Sequence, residues 1–499
     1  MGLIMAADGQ LLHYLVGAVS TALVYCAWRV TTNYFALRSL KVPGPLIAKL
    51  TSKWLFVHDT AGNNANCVQE IHKKYGGNVV QIAPRELSFS SATAIRDIYG
   101  PSTKCFKSEI YSAMGREAIF QMVDHERHRE RQKKIMHIFG LNVLLQLEPM
   151  IQEQVSRMID LVEKSIGKPC EVLYITRMLA LDISGEVLLG RSFNALQSET
   201  TPFYVQMVEN VHPVWALEGK APWLLRCIEK IPLKSVQEFL SASEYIYSYG
   251  EAQMKESIER FGRYAQRPNL MTKMLAGDPE KGIEPLSDKD ISSEVSNLIF
   301  AATDTTALEM AYLLYELACH PEWQEALRRE IQASGVKEAD FCYLKLQHLP
   351  ILNALIQETF RVHPGVPPGL PRTTPKQGHM IDGIFVPGDT IVHVQALTVH
   401  RNPKVFPDPE SFKPQRWIET NGGTSEMREH MFVWGYGNRI CAGQNMATME
   451  IKIMAARITE KYTLRLAGEK THDDMVMMDH FIGFAKGHSC PLVFKRRKD

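Results

Sequence analysis

The longest uninterrupted apolar run comes first. From Gly9 to Trp28 about 20 residues pass without Asp, Glu, Lys or Arg, and at roughly 1.5 Å per residue a helix of that length crosses a bilayer core. A cleaved signal peptide would need a basic start and a small-residue cleavage site, and neither flanks this run. Lys41-Val42-Pro43-Gly44-Pro45 follows, where two prolines fix φ and bar a helix. Apolar spacing then predicts a helix near Val68 to Tyr75, alternation typical of strands from Val79 to Phe89, and a helix near Ala92 to Tyr99. Beyond about residue 100 the helical period dominates. No repeat, Ser/Gly linker or charge block interrupts the remainder. The expected organisation is an anchor at 1–30, a linker at 31–41 and one large, mainly α domain with minor β at 42–499.

One helix stands apart. Ser287 and Asp290 form a capping pattern, and apolar residues continue to Cys319 ahead of Pro321, giving a helix of roughly 50 Å that must cross the whole domain. Its flanks are apolar nearly all round, yet its centre reads Thr303-Asp304-Thr305-Thr306. Two readings stay open. The hydroxyls bond back to the carbonyls one turn earlier, with Asp304 in a salt bridge or at a surface. Alternatively, the polar stretch marks a site inside a buried helix.

Charge narrows the partners. Lys plus Arg number 56 against 55 for Asp plus Glu, which leaves no bulk case for nucleic-acid binding. Arg29, Arg38 and Lys41 follow the apolar run and only Asp8 precedes it, so the positive-inside rule puts the domain in the cytosol. The nine cysteines show no CxxC pair or zinc spacing and read as reduced thiols. The closing Lys495-Arg496-Arg497-Lys498 reads as a solvated tail.

Candidate chemistry concentrates in the last third. Trp434-Gly435-Tyr436-Gly437-Asn438-Arg439-Ile440-Cys441-Ala442-Gly443 is a Gly-rich loop feeding a helix from about Gln444 to Tyr462. It presents Cys441 at a helix start, where free N–H groups favour the thiolate. A buried inert cysteine fits the same pattern. Glu358 and Arg361 lie three apart on a helix between Pro350 and Pro364 and can pair. Arg416, within Phe412-Lys413-Pro414-Gln415-Arg416-Trp417, could fold onto that pair.

The ordered set of PGP elbow, acid-alcohol stretch in a long helix, ExxR, PxRW and GxRxCxG resembles the cytochrome P450 haem-thiolate monooxygenases over about residues 41–495. Pro371-Arg372 and His400-Arg401-Asn402-Pro403 resemble the microsomal enzymes of filamentous fungi. The resemblance implies a single P450 fold whose long helix crosses over a haem b. Cys441 is then the thiolate ligand of the iron, with Gly437, Arg439 and Gly443 shaping its loop. Glu358, Arg361 and Arg416 become a structural triad, and Arg372 and Arg439 pair with the haem propionates. Gln132 stands where arginine is expected, leaving open whether His128, Arg129 or Lys133 reaches a propionate. Trp434 stands where phenylalanine is usual, and Ala302 where glycine is frequent. Asp304 and Thr305 match the oxygen-activation stretch.

The same resemblance places Phe120, Met122, Phe300, Ala301, Val366, Leu370, Phe481 and Ile482 around a pocket for a lipophilic terpenoid, polyketide or alkaloid intermediate. No flavin or nicotinamide fingerprint accompanies these motifs, so electrons must come from a separate protein, which the resemblance implies is the membrane-bound NADPH cytochrome reductase. Arg127, Arg129, Arg131, Lys133 and Lys134 form a basic stretch for it to meet, or a plain solvated helix face. The implied location is the endoplasmic reticulum membrane, single-pass. A haem-thiolate isomerase or dehydratase working without O2, and a tethered haem sensor, are the competing functions; Asp304 and Thr305 count against both.

Overall fold

The computed structural model describes residues 2–198, 200–220, 222–264, 269–336 and 341–497. Its first helix, Gly2–Ala36, contains the apolar run and continues past Trp28 into the expected linker. Residues 31–36 are therefore helical, and a single 3-10 turn at Arg38–Leu40 precedes the proline elbow. Among the described residues, Leu15–Leu40 is the one stretch long and apolar enough to cross a membrane.

The expected long helix spans Asp288–Cys319. Ser287 caps it: its hydroxyl accepts from Asp290 N at 3.2 Å and donates to the Asp290 carboxylate at 2.7 Å. It packs against the helices Val172–Leu189, Ala242–Phe261 and Gln444–Lys461. Val172–Leu189 is apolar almost all round and buried along most of its length, as a helix enclosed in a core must be. Its one buried carboxylate, Asp182, accepts from Ser192 Oγ, Ala195 N and Leu196 N at 2.7–2.9 Å.

The minor β structure lies at the edges of this helical body. Strands Val79–Ala83, Glu86–Phe89, Ile391–Val394, Arg372–Thr373 and Phe106–Lys107 form one sheet in that order. A hairpin joins Met477–His480 to Ile482–Ala485. The C-terminal strand Pro491–Arg496 pairs with Tyr462–Leu466 and Pro169–Glu171. The basic end is therefore an ordered strand and not a free tail, although Lys495 and Arg496 stay exposed. Arg496 pairs with Glu163, and Arg497 with Glu325 at 3.0 Å while donating to two backbone carbonyls; Lys498 lies outside the described residues.

Glu358, on the helix Pro350–Val362, is wholly buried, as is Arg361. Arg361 donates to both carboxylate oxygens at 2.9 and 2.7 Å. Arg416 Nε, Trp417 Nε1 and Lys413 N donate to the same carboxylate at 3.1, 2.8 and 2.8 Å. The remaining Arg361 donors go to the carbonyls of His400, Pro409 and Ser411. Removing one partner strands charge inside the protein, which costs about 3–5 kcal/mol. Glu358→Ala is expected to lose that much in denaturant unfolding, or to fail to accumulate as folded protein, whereas substituting exposed Glu419 should shift stability by less than about 0.5 kcal/mol.

Candidate active site

Two sides of one internal space carry the candidate residues. On one side the central helix passes Ala301, which keeps solvent-accessible surface although Ile299, Phe300, Thr303 and Thr306 around it are buried. On the other side is the loop ending at Cys441, whose thiol is also accessible although protein surrounds it closely enough that burial pushes it up. Cys441 thus keeps accessible surface within closely packed surroundings. The N–H groups of Gly443 and Gln444 oppose the effect of burial by pointing at the sulfur, as expected at a helix start. Residues 365–370 span the two sides. A Cβ built on Gly365 comes within 3.6 Å of Thr305 O, and one on Gly435 within 3.8 Å of Leu370 Cδ1.

The cysteine loop is shaped by its neighbours. Cys441 N donates to Trp434 O at 2.8 Å, and the Trp434 ring meets Phe360 edge-on at 5.1 Å. Gly437 has φ 70°, and a Cβ there would lie 2.1 Å from Tyr99 O, so glycine is required. At Gly443, apart from its own chain neighbours, no protein atom lies within 4 Å of where a Cβ would stand, which leaves room for a flat group beside the thiol.

A crowd of cations borders this space. Lys107 and Arg372 sit directly opposite each other in antiparallel strands, and both are buried. Like charges in that register repel. Arg439 donates to Met122 O at 2.6 Å, and burial followed by Arg372 lowers its pKa to about 10. Burial, then Arg372 and Arg439, holds Lys107 well below the usual lysine range; its ammonium donates to Phe120 O and lies 4.0 Å from the Tyr111 and Phe120 ring centroids. His128, also buried, is brought down to about 3 by burial, then Arg439 and Lys107. Lys107, Arg372 and Arg439 converge beside the neutral His128 with no carboxylate bonded to any of them among the described residues, an arrangement that favours an anion.

Of the basic helix His125–Ile135, His128 is therefore the member at the cluster, and Arg129 and Lys133 are exposed on the surface. Gln132 donates its amide to Asn438 O at 3.0 Å, tying this helix to the cysteine loop. Arg131 does not belong to an exposed basic face. It is buried and pairs with Glu294 at 2.6 Å and Asp290 at 2.5 Å, and Arg127 pairs with Glu117.

At the centre of the long helix, Thr303 Oγ1 donates to Ile299 O and Thr305 Oγ1 to Ala301 O, each at 2.7 Å. Asp304 receives Arg177 Nε at 2.7 Å and Nη2 at 3.2 Å. Arg177 also pairs with Glu209 of the helix Phe203–Lys220. The structural arrangement anticipated for this polar stretch is thus present.

The expected pocket residues divide. Phe120, Tyr111 and Phe481 form an edge-on aromatic group with centroids 5.5–6.3 Å apart. Val366 and Leu370 are half-buried beside the space, whereas Phe300 and Ile482 are buried members of the main core. Phe481 adopts φ 75°, a conformation that bulky residues avoid at about 1–3 kcal/mol. Sequence reasoning missed Lys107, Tyr111 and Arg177. Their partners lie far along the chain, and no local spacing marks them.

The Cytochrome P450 family model matches residues 43–487. Among curated proteins, the chain is similar to the cytochrome P450 monooxygenase tazI of Aspergillus terreus, 28% identical over 90% of this chain and 92% of that one. It is 27% identical to the cytochrome P450 monooxygenase FCK2 of Fusarium pseudograminearum over 97% of this chain and 86% of its relative. The figures for AMT3 of Alternaria alternata are 29%, 86% and 88%. Among solved structures, the retinoic acid-bound cyanobacterial CYP120A1 matches 88% of this chain and 96% of its own with a TM-score of 0.72 at 19% identity, a likeness of fold.

The Asp304–Arg177 pair is only partly exposed, at 15% and 22% of the side chains, so its coupling should exceed that of a surface bridge. A double-mutant cycle with Asp304→Asn and Arg177→Leu, followed by denaturant unfolding, is expected to return a coupling of about 1–2 kcal/mol. A value near zero would mean that the pair does not hold the two helices together.

Proposed function

The chain belongs to the cytochrome P450 family, and from that premise we propose that it oxygenates a lipophilic intermediate of fungal secondary metabolism, with Cys441 as the thiolate ligand of haem b. It is a monooxygenase. The single observation that carries the site assignment is the convergence of an accessible thiol, an open glycine beside it and an unneutralised cation cluster at its edge. A flat dianionic macrocycle with a metal at its centre meets all three demands.

In this reading Arg372, Arg439 and Lys107 hold the two propionates, with His128 as a neutral neighbour, and the anion removes the repulsion across the Lys107–Arg372 strand pair. Gly437 and Gly443 allow the loop and the group to approach closely. When bound, the haem supplies the activation of O2, with thiolate ligation favouring O–O cleavage. One oxygen atom enters the substrate and the other leaves as water, with two electrons from NADPH and two protons. Thr305 orders a proton-donating water at the central helix, and Asp304 helps to deliver the proton. Phe120, Ala301, Val366, Leu370 and Phe481 orient the substrate and exclude bulk water.

Electrons arrive from a membrane-bound NADPH cytochrome reductase. Arg129 and Lys133, exposed beside the Gln132–Asn438 link to the cysteine loop, supply the cationic face that steers it. The N-terminal helix tethers the enzyme to the endoplasmic reticulum with residues after Arg29 in the cytosol.

Two experiments test this reading. With reductase and labelled O2, a converted substrate is expected to carry the label; substrate consumed anaerobically with unlabelled product would overturn the oxygenase assignment. Cys441→Ala is expected to abolish the thiolate signature of the reduced, carbonyl-bound spectrum, while Cys105→Ala keeps it.

Thr305→Ala separates structure from chemistry. A hydroxyl that only caps a carbonyl costs about 1 kcal/mol of stability when removed and leaves product per NADPH unchanged. The proposed role predicts continued NADPH consumption with less product and more hydrogen peroxide, measured together in one assay.

A further inference from the structure

Glu309 lies one turn beyond Thr305 on the same face of the central helix. It is only 5% exposed, and burial pushes its carboxyl well above the usual carboxylate range. One oxygen accepts from Gly365 N at 2.7 Å. The other is buried without a hydrogen-bond partner among the described residues. A buried carboxyl with so little compensation is costly to keep, and nothing in the reaction as derived uses it.

Its one hydrogen bond among the described residues leads toward the pocket. Gly365 begins the segment that carries Val366 and Leu370, and Gly365 O accepts from Gly483 N at 2.9 Å. Gly483 pairs with Asp479 in the hairpin whose tip is Phe481. Two hydrogen bonds in series therefore join the central helix, the 365–370 segment and the hairpin, three walls of the space above Cys441. Packing follows the same line: a Cβ on Gly483 would sit 3.1 Å from Leu308 Cδ2 and 3.4 Å from Pro367 Cδ. The tip held in this way carries Phe481 at φ 75°, and a strained conformation persists only where its surroundings over-determine it.

We propose that Glu309 is a positioning residue that pins the 365–370 segment and, through Gly365 and Gly483, the Phe481 tip against the central helix, so that it sets the shape of the substrate pocket. The inference rests on the haem-thiolate reading of that space. The oxygen bonded to Gly365 N acts as an acceptor only, so an amide can replace the acid. An apolar side chain cannot. Without the acceptor, Gly365 N is left buried and unpaired, the 365–370 segment moves, and the hairpin follows it.

The test uses the full-length, haem-loaded protein and two nitrogen ligands of the iron, imidazole and 4-phenylimidazole, which differ in the bulk they present to the pocket walls. Binding is read from the shift of the main absorption band. Imidazole affinity should stay within about twofold of the parent in Glu309→Gln, Glu309→Leu and Gly483→Ala. The affinity for 4-phenylimidazole should fall about tenfold or more in Glu309→Leu. It should fall likewise in Gly483→Ala, which pushes the same hairpin from its own side, and remain within about twofold in Glu309→Gln.

Unchanged 4-phenylimidazole binding in Glu309→Leu would overturn the proposal. So would a Gln variant as weak as the Leu variant, because the acid proton and not the acceptor would then matter. If Glu309→Leu does not retain haem, Gly483→Ala against Glu309→Gln decides by the same criteria. A parent protein that fails to ligate imidazole would overturn the haem-thiolate reading itself and this inference with it, whereas failure of the inference alone leaves the parent spectra intact.

Discussion

The Glu358 carboxylate, with no surface exposed to water, is the fixed point for the segments that lead into the cysteine loop. A buried charge is tolerable only when its lone pairs are filled, and donors from Arg361, Lys413, Arg416 and Trp417 fill them. Those residues come from two segments about 55 residues apart, so satisfying one carboxylate brings the 411–417 loop onto the 350–362 helix. Arg361 extends the constraint. It donates to His400 O at 3.1 Å, and His400 Nε2 accepts Phe432 N at 2.8 Å, which fixes the entry to the cysteine loop. Phe360 on the same helix then meets Trp434 edge-on. The position of Cys441 is thus inherited from a charge that must not be left unpaired.

The opposite constraint operates at the cation cluster. Around Glu358 every charge has its partner within the protein, whereas Lys107 and Arg372 face each other in register with no carboxylate bonded to them among the described residues. Folding tolerates that repulsion because the surrounding sheet and the aromatic rings of Tyr99, Tyr111 and Phe120 hold the groups in place. The contrast distinguishes scaffold from site: a satisfied buried charge organises the chain, and an unsatisfied set asks for a ligand of opposite sign.

What the sequence made legible follows the range of the interactions. The Glu358–Arg361 pair, the Ser287 cap and the start of a helix just after Cys441 are set by spacings of a few residues, and each appears where the pattern put it. Lys107 was invisible because its neighbours Arg372 and Arg439 are more than 260 residues away, brought close by strand pairing. Arg131 read as part of a basic surface, since nothing local reveals that Glu294, on another helix, takes it into the interior. The C-terminal basic run read as a free tail for a similar reason: strand pairing with Tyr462–Leu466 and the carboxylates of Glu163 and Glu325 come from elsewhere in the fold. Glu309 shows the same limit, because an acid in a helical pattern says nothing about a glycine N–H in a distant loop.

The polar centre of the long helix joins these themes. Its hydroxyls and carboxylate are engaged within the protein, so the structural account describes the arrangement present, and the proposed chemistry would require a different one. For Asp304 to turn toward the space above Cys441, both bonds from Arg177 must break. Arg177 is also held by Glu209, so the orientation of Asp304 is coupled to the helix Phe203–Lys220. A second arginine contact lowers the cost of releasing the first, because the guanidinium keeps a carboxylate partner while Asp304 leaves. If Asp304 acts as proposed, the network would stabilise the folded helix at rest and release its carboxylate at a cost smaller than stranding a buried charge. An isolated salt bridge at the same depth could not do both.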